Sequence, residues 1–116
     1  SLDKPGFDLG QMLAKNTKPQ DVILINSTEY YSFYWVFVNY YGNRNLETQD
    51  LTLQQFTTQQ RSALPYQYIV LIENRPTDEK FKQYLLKNYQ TRKSGLYTLV
   101  NLQQKKQFSI GKSNTI

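Results

Sequence analysis

"DVILIN", residues 21–26, is an unbroken aliphatic run of strand length. A strand with one face in water alternates apolar and polar residues, whereas Val22, Ile23, Leu24 and Ile25 leave no polar face. Such a strand must be covered on both sides. "YQYIVLIEN", residues 66–74, is a second run of the same kind. Around these two, the chain carries helical marks. In "FDLGQMLAKNTKPQD", residues 7–21, Leu9, Met12 and Leu13 form one helical stripe, Asp8 and Gln11 are set as a capping box, and Pro19 ends the pattern. "LTLQQFTTQQRSAL", residues 51–64, places a Thr52-x-x-Gln55 capping box ahead of Leu53 and Phe56. "RPTDEKFKQYLLKNYQ", residues 75–90, puts Pro76 near a helix start, Asp78 and Glu79 in its first turn and Lys87 in its last, an order that suits the helix dipole. Its buried stripe is Phe81, Tyr84, Leu85 and Asn88 or Tyr89. "RNLET", residues 44–48, reads as a short edge strand, and "GLYTLVNLQ", residues 95–103, as the final strand.

Between the first two strands lies "STEYYSFYWVFVNYYG", residues 27–42, with eight aromatic residues from Tyr30 to Tyr41. Its composition favours a strand. Ser27-Thr28 as an N-cap, Gly42 as a stop and the rhythm of the neighbouring segments favour a helix, which is the reading adopted. With Ser32 and Asn39 inside it, the segment is too short and too polar to cross a bilayer, which takes about twenty apolar residues.

Helices alternating with strands predict a small three-layer α/β domain, Rossmann-like or flavodoxin-like. Its sheet is expected to be mostly parallel, of about four strands in the order 2-1-3-4. Residues 2–104 form the domain, and residues 105–116 a tail with a frayed end or a short edge pairing.

At 116 residues the chain suits one domain, and 39% hydrophobic with 20% charged residues describes an ordinary globule. The absence of histidine and cysteine excludes a Ser-His-Asp or Cys-His device and a cysteine zinc site within the chain, and leaves the redox compartment open. No cofactor is expected. The net charge of +5 is dispersed, with Arg92-Lys93 and Lys105-Lys106 as the adjacent basic pairs, so it lacks a nucleic-acid footprint. Weak attraction to anionic lipid headgroups is the next reading. The chain begins at Ser1 and its one methionine is Met12, so it reads as a piece of a longer protein.

In open α/β sheets ligands bind beyond the carboxyl ends of the strands, where strand order reverses. In the expected order this brings Asn26, Ser27, Thr28 and Glu29 toward Glu73, Asn74 and Arg75, the candidate ligand site. The plainer reading gives the same residues structural work: a helix cap at Ser27 or Thr28, a turn at Asn74, an ion pair at Arg75. Glu29 and Glu73 are also a candidate carboxylate pair for glycoside chemistry. No glycine-rich first turn or Walker sequence is present, which argues against the usual nucleotide sites. Tyr30, Tyr31, Tyr34, Trp35, Tyr40 and Tyr41 are the candidate contact surface, able to stack on sugar rings or sit at a membrane interface; filling the core is the competing use. Asn26-Ser27-Thr28 matches an N-glycosylation acceptor in form.

The order of these segments also resembles a known pattern. Leu13, Asn16, Thr17, Pro19, Asp21 and Val22, followed by Tyr40, Tyr41, Gly42 and Arg44, are similar to the opening of the C-terminal soluble region of membrane glycosyltransferases of the dolichyl-phosphate-mannose–protein mannosyltransferase type and their bacterial relatives. "YIVLIE", "YLLKNY" and "GLYTLVNL" look like the ending of that region, so the resemblance covers nearly the whole chain. It implies a parent integral-membrane enzyme that uses a polyprenyl-phosphate sugar donor, with its catalytic acidic residue in a loop outside this chain. The chain itself would be an extracytoplasmic domain without catalytic residues. Its implied partners are the membrane-embedded part of the same protein, with lipid headgroups or acceptor substrate as further ones.

Overall fold

The structure, a computed structural model, describes residues 4–27, 44–73 and 75–106. In chain order these form α1 (Lys4–Asn16), β1 (Val22–Ile25), β2 (Asn45–Thr48), α2 (Leu53–Gln60), β3 (Tyr68–Ile72), α3 (Glu79–Asn88), β4 (Tyr89–Ser94) and β5 (Tyr97–Lys105). The five strands make one sheet in the order β2-β1-β3-β5-β4. β1 pairs in parallel with β2 and with β3; β5 pairs antiparallel with both β3 and β4.

The two aliphatic runs are buried on both faces because their alternate residues enter different cores. Ile23, Ile25, Tyr68, Val70 and Ile72 pack under α1 with Leu9, Met12 and Leu13. Leu24, Ile69 and Leu71 point the other way, to Phe56 of α2 and Phe81 and Leu85 of α3. The described residues therefore make three layers, with α1 on one face of the sheet and α2 and α3 on the other. Burying a Leu or Ile side chain stabilises by about 1.5–3 kcal/mol, so the paired cores around β1 and β3 supply much of the folding free energy.

Two expectations need correction. The sheet is mixed and five-stranded, not a Rossmann-like parallel sheet of four. The missing strand is β4, whose first two residues, Tyr89 and Gln90, lie in the segment expected to continue α3. Tyr89 explains the misreading. It is one turn past Leu85, where a helical stripe would continue, and it is buried in the same α2–α3 core, its ring 6.5 Å from Phe56 and 6.5 Å from Tyr84. The burial pattern is the same for a helix or a strand at this residue. The backbone decides for the strand, turning extended at Tyr89 (φ −126, ψ 155). β4 then runs in the direction of β3, and β5 returns antiparallel between them. The return is a two-residue turn, Gly95-Leu96, closed by the Ser94–Tyr97 pair. Gly95 has φ +58, a conformation that costs any residue with a Cβ.

The second correction concerns the start of α1. The helix begins at Lys4, so Asp8 lies in its second turn and is no N-cap. Pro5 is the signal for the earlier start, since proline is tolerated in the first turn of a helix. The capping box at α2 is present in full: Thr52 Oγ1 accepts from Gln55 N (3.2 Å) and Gln55 Oε1 accepts from Thr52 N (2.9 Å). β2 is an edge strand, as expected. The tail beyond Lys106 lies outside the described residues. So does the aromatic segment expected as a helix to Gly42, apart from its first residue, Ser27.

Candidate functional site

The chain leaves β1 for β2 on one side and then crosses to β3 on the other, so strand order reverses between β1 and β3. Beyond the carboxyl ends of these strands is a cavity of about 320 Å³. It draws on the loops that follow all three parallel strands: Asn26 and Ser27 after β1, residues 50–52 after β2, and residues 76–78 after β3. That volume is at the small end of ligand pockets, which suits a small molecule.

Asn26 and Ser27, both nearly fully buried, form one wall. Asn26 also ties two loops together. Its backbone N–H donates to Val70 O (3.0 Å), and its Oδ1 accepts from Leu51 N (2.9 Å). Opposite stands the start of α2, where two first-turn donors are already engaged. Leu53 N donates to Asp78 Oδ2 (2.9 Å), and Gln55 N is held by Thr52. Asp78, the N-cap residue of α3, thus reaches across to cap its neighbour and not its own helix. With Asp50 and Asp78 in the lining and no lysine or arginine among its described residues, the cavity repels anions. Hydroxyl and carboxylate oxygens here suit a ligand that donates hydrogen bonds: a small neutral or cationic polar molecule.

The residues expected to form one site divide between two cavities. Asn26 and Ser27 line the one just described, whereas Glu73 and Arg75 line another of about 490 Å³ beside α3 and β4, with Pro76 and Thr77 bordering both. Glu73 donates its backbone N–H to Leu96 O (2.8 Å) and pairs with Lys93 at 3.5 Å, both side chains more than half exposed. An ion pair so exposed contributes little. Arg75 N–H donates to Ile72 O (3.1 Å). Thr28, Glu29 and Asn74 lie outside the described residues, as do Tyr30, Tyr31, Tyr34, Trp35, Tyr40 and Tyr41. Asp50, Thr52, Thr77 and Asp78 were not expected in a site. Thr52 and Asp78 were legible as helix starts, and helices that follow parallel strands start at the crevice; that was the available signal.

Three phenols have raised pKa values. Tyr66 is pushed up to about 12 by burial and then by the nearby charge of Glu47. Burial also raises Tyr68, helped by Asp21, and Tyr89, helped by Tyr84. Raised phenols stay protonated at neutral pH: Tyr66 and Tyr68 act as hydrogen-bond donors, while the Tyr89 hydroxyl accepts from Gln60 Nε2 (2.6 Å). Tyr66 donates to Gln59 Oε1, and Tyr68 donates to Asn16 O (3.2 Å). Among the described residues no group of three or more acidic side chains is placed to hold a metal ion, and no helix is long and apolar enough to cross a membrane.

The turn after α1 is held by several hydrogen bonds. Thr17 Oγ1 donates back to Leu13 O (2.6 Å), and Asp21 Oδ2 accepts from Lys18 N (2.8 Å) around Pro19. Arg44, just before β2, then reaches over the turn. Its Nε donates to Thr17 Oγ1 (2.9 Å) and its Nη2 to Thr17 O (3.1 Å) and Ala14 O (3.5 Å). The guanidinium thereby satisfies carbonyls at the negative end of α1. No family model, no curated protein and no solved structure matches this chain.

Proposed function

We propose that the chain is a non-catalytic, extracytoplasmic domain of a membrane glycosyltransferase that moves a mannose-type sugar from a polyprenyl-phosphate donor to protein or another acceptor. The observation that carries this reading is the Arg44 latch. Leu13, Asn16, Thr17, Pro19, Asp21 and Val22 make up the first run of the opening pattern in the sequence resemblance, and Arg44 belongs to the second. The hydrogen bonds from Arg44 to Thr17 join the two runs across 27 positions. A motif of this kind is structural, which fits a domain that packs on a membrane-embedded partner or positions an acceptor and leaves chemistry to another part of the protein. The reading places the domain on the extracytoplasmic side of the membrane.

The coding sequence upstream of Ser1 tests this directly. Several apolar spans of about twenty residues are expected there; their absence overturns the proposal. In such a parent, deleting this domain should lower acceptor use or stability.

A second reading, a free-standing module for a small polar ligand, is favoured by the cavity of about 320 Å³ at the point where strand order reverses. Thermal-shift screening separates the two. Strong stabilisation of the isolated chain by a small polyol or amine favours the module, and a flat screen favours the accessory domain.

A further inference from the structure

On this face α1 covers Tyr97 and Leu99 of β5, and beside it the edge strand β4 presents polar side chains. Cross-strand partners share a face, and Arg92 stands opposite Leu99, which belongs to the core under α1. Gln90, opposite Asn101, stands on that same side. Together with Lys15 in the last turn of α1, these residues and Gln104 border a cavity of about 450 Å³ whose described lining contains no aspartate or glutamate. An adjoining cavity of about 580 Å³ shares Lys15, Asn16 and Arg92 and continues toward Asp8 and Ser94.

The hydrogen-bond inventory leaves donors in excess. Asn101 donates to Gln104 Oε1 (3.2 Å) and accepts from Gln103 N (2.9 Å), so the acceptor of Gln104 is occupied and its amide N–H groups remain. Among the described residues, the Lys15 ammonium and the Arg92 guanidinium hold no hydrogen-bond or ion-pair partner. The negative end of α1, which would repel an anion, is already answered by Arg44. What remains is a guanidinium fork, an ammonium and amide donors around one polar hollow.

We propose that this groove binds a phosphate group. A phosphate offers acceptor oxygens and negative charge, about −1.5 to −2 for a monoester at neutral pH and a single charge for the diester of a lipid headgroup, which matches the donors and the two cations. The site is separate from the cavity beyond β1 and β3 and rests on neither reading of function. Its phosphate belongs either to a small soluble molecule or to a lipid headgroup.

The test is a titration of the ¹⁵N-labelled chain, following its side-chain N–H resonances, with inorganic phosphate and with vesicles of phosphatidylcholine with and without phosphatidylglycerol. Arg92→Gln is compared with Arg61→Gln, an exposed cation at the end of α2 whose loss changes net charge equally. Saturable shifts at Arg92, Gln90 and Gln104 with inorganic phosphate, weakened about tenfold by R92Q and unchanged by R61Q, support the site with a soluble source. A response to the anionic vesicles alone, again lost in R92Q only, supports it with a headgroup source. No response to either probe, or equal losses in the two variants, overturns it.

Discussion

The two halves of the sheet are built on different terms. In the half made of β2, β1 and β3, the strands are parallel and short, the central two are apolar on both faces, and the polar groups collect where the strands end. In the half made of β5 and β4, pairing is antiparallel, β4 is mostly polar, and polar groups stand along the strand face itself. The consequence is a separation by sign. The described lining of the cavity beyond β1 and β3 has carboxylates and no lysine or arginine, while that of the groove bordered by Lys15 and Arg92 has cations and no carboxylate, with Asp8 in the adjoining cavity. A parallel strand sandwiched by helices has only its ends to offer a ligand, whereas the edge strand β4 offers exposed polar side chains along its length.

Removing what joins the halves should have the largest effect. Phe56 is fully buried, its ring 5.1 Å from Phe81 and 6.5 Å from Tyr89, so it connects α2 to α3 and to the first residue of β4. Phe56→Ala should cost about 3–5 kcal/mol in chemical denaturation; a cost near that of a surface change would show that the hairpin half does not depend on this core. Arg44→Ala acts on the parallel half alone. It removes the latch between α1 and β2 and should cost about 1–2 kcal/mol, with hydrogen exchange quickening in the last turn of α1 before it does in β4. Gly95→Ala is its counterpart in the hairpin. Placing a Cβ at φ +58, with Asp8 Oδ2 only 3.2 Å from it, should cost about 1 kcal/mol and loosen β4–β5 first.

A change of pH probes the entry to β3 more gently. The folded state holds Tyr66 protonated up to about pH 12, whereas an unfolded tyrosine ionises near 10. The stabilisation is therefore complete below pH 10 and lost as the pH rises toward 12. Wild-type chain should lose stability through that interval more steeply than Tyr66→Phe; identical pH profiles would remove Tyr66 from the account.

The same contrast explains what was legible in the sequence. Ile23 to Ile25 and Tyr68 to Ile72 announce sandwiched strands because burial on both faces leaves an unbroken apolar signature. Thr52 and Gln55 announce a helix start because their bonds are local. β4 carries no such signature. Gln90, Thr91, Arg92 and Lys93 are polar at an edge, and Tyr89 satisfies a helical stripe as well as it satisfies a strand. The antiparallel return was hidden with it. The candidate site was legible at Asn26 and Ser27, which follow the first apolar run directly. Asp50 and Thr77 were not, because the loops bring them there through pairings the sequence does not display. The cationic lining of the hairpin groove was beyond reach for the same reason, since Lys15 and Arg92 border one cavity only through the fold.

The contrast between the halves stands on residues 89–94 being a strand. Backbone NOE spectroscopy on the labelled chain decides it. The account expects cross-strand contacts between Arg92 and Leu99 and between Ile69 and Val100, with extended-chain chemical shifts from Tyr89 onward. Helical sequential contacts that continue from Asn88 through Gln90, with no contact to β5, would contradict it.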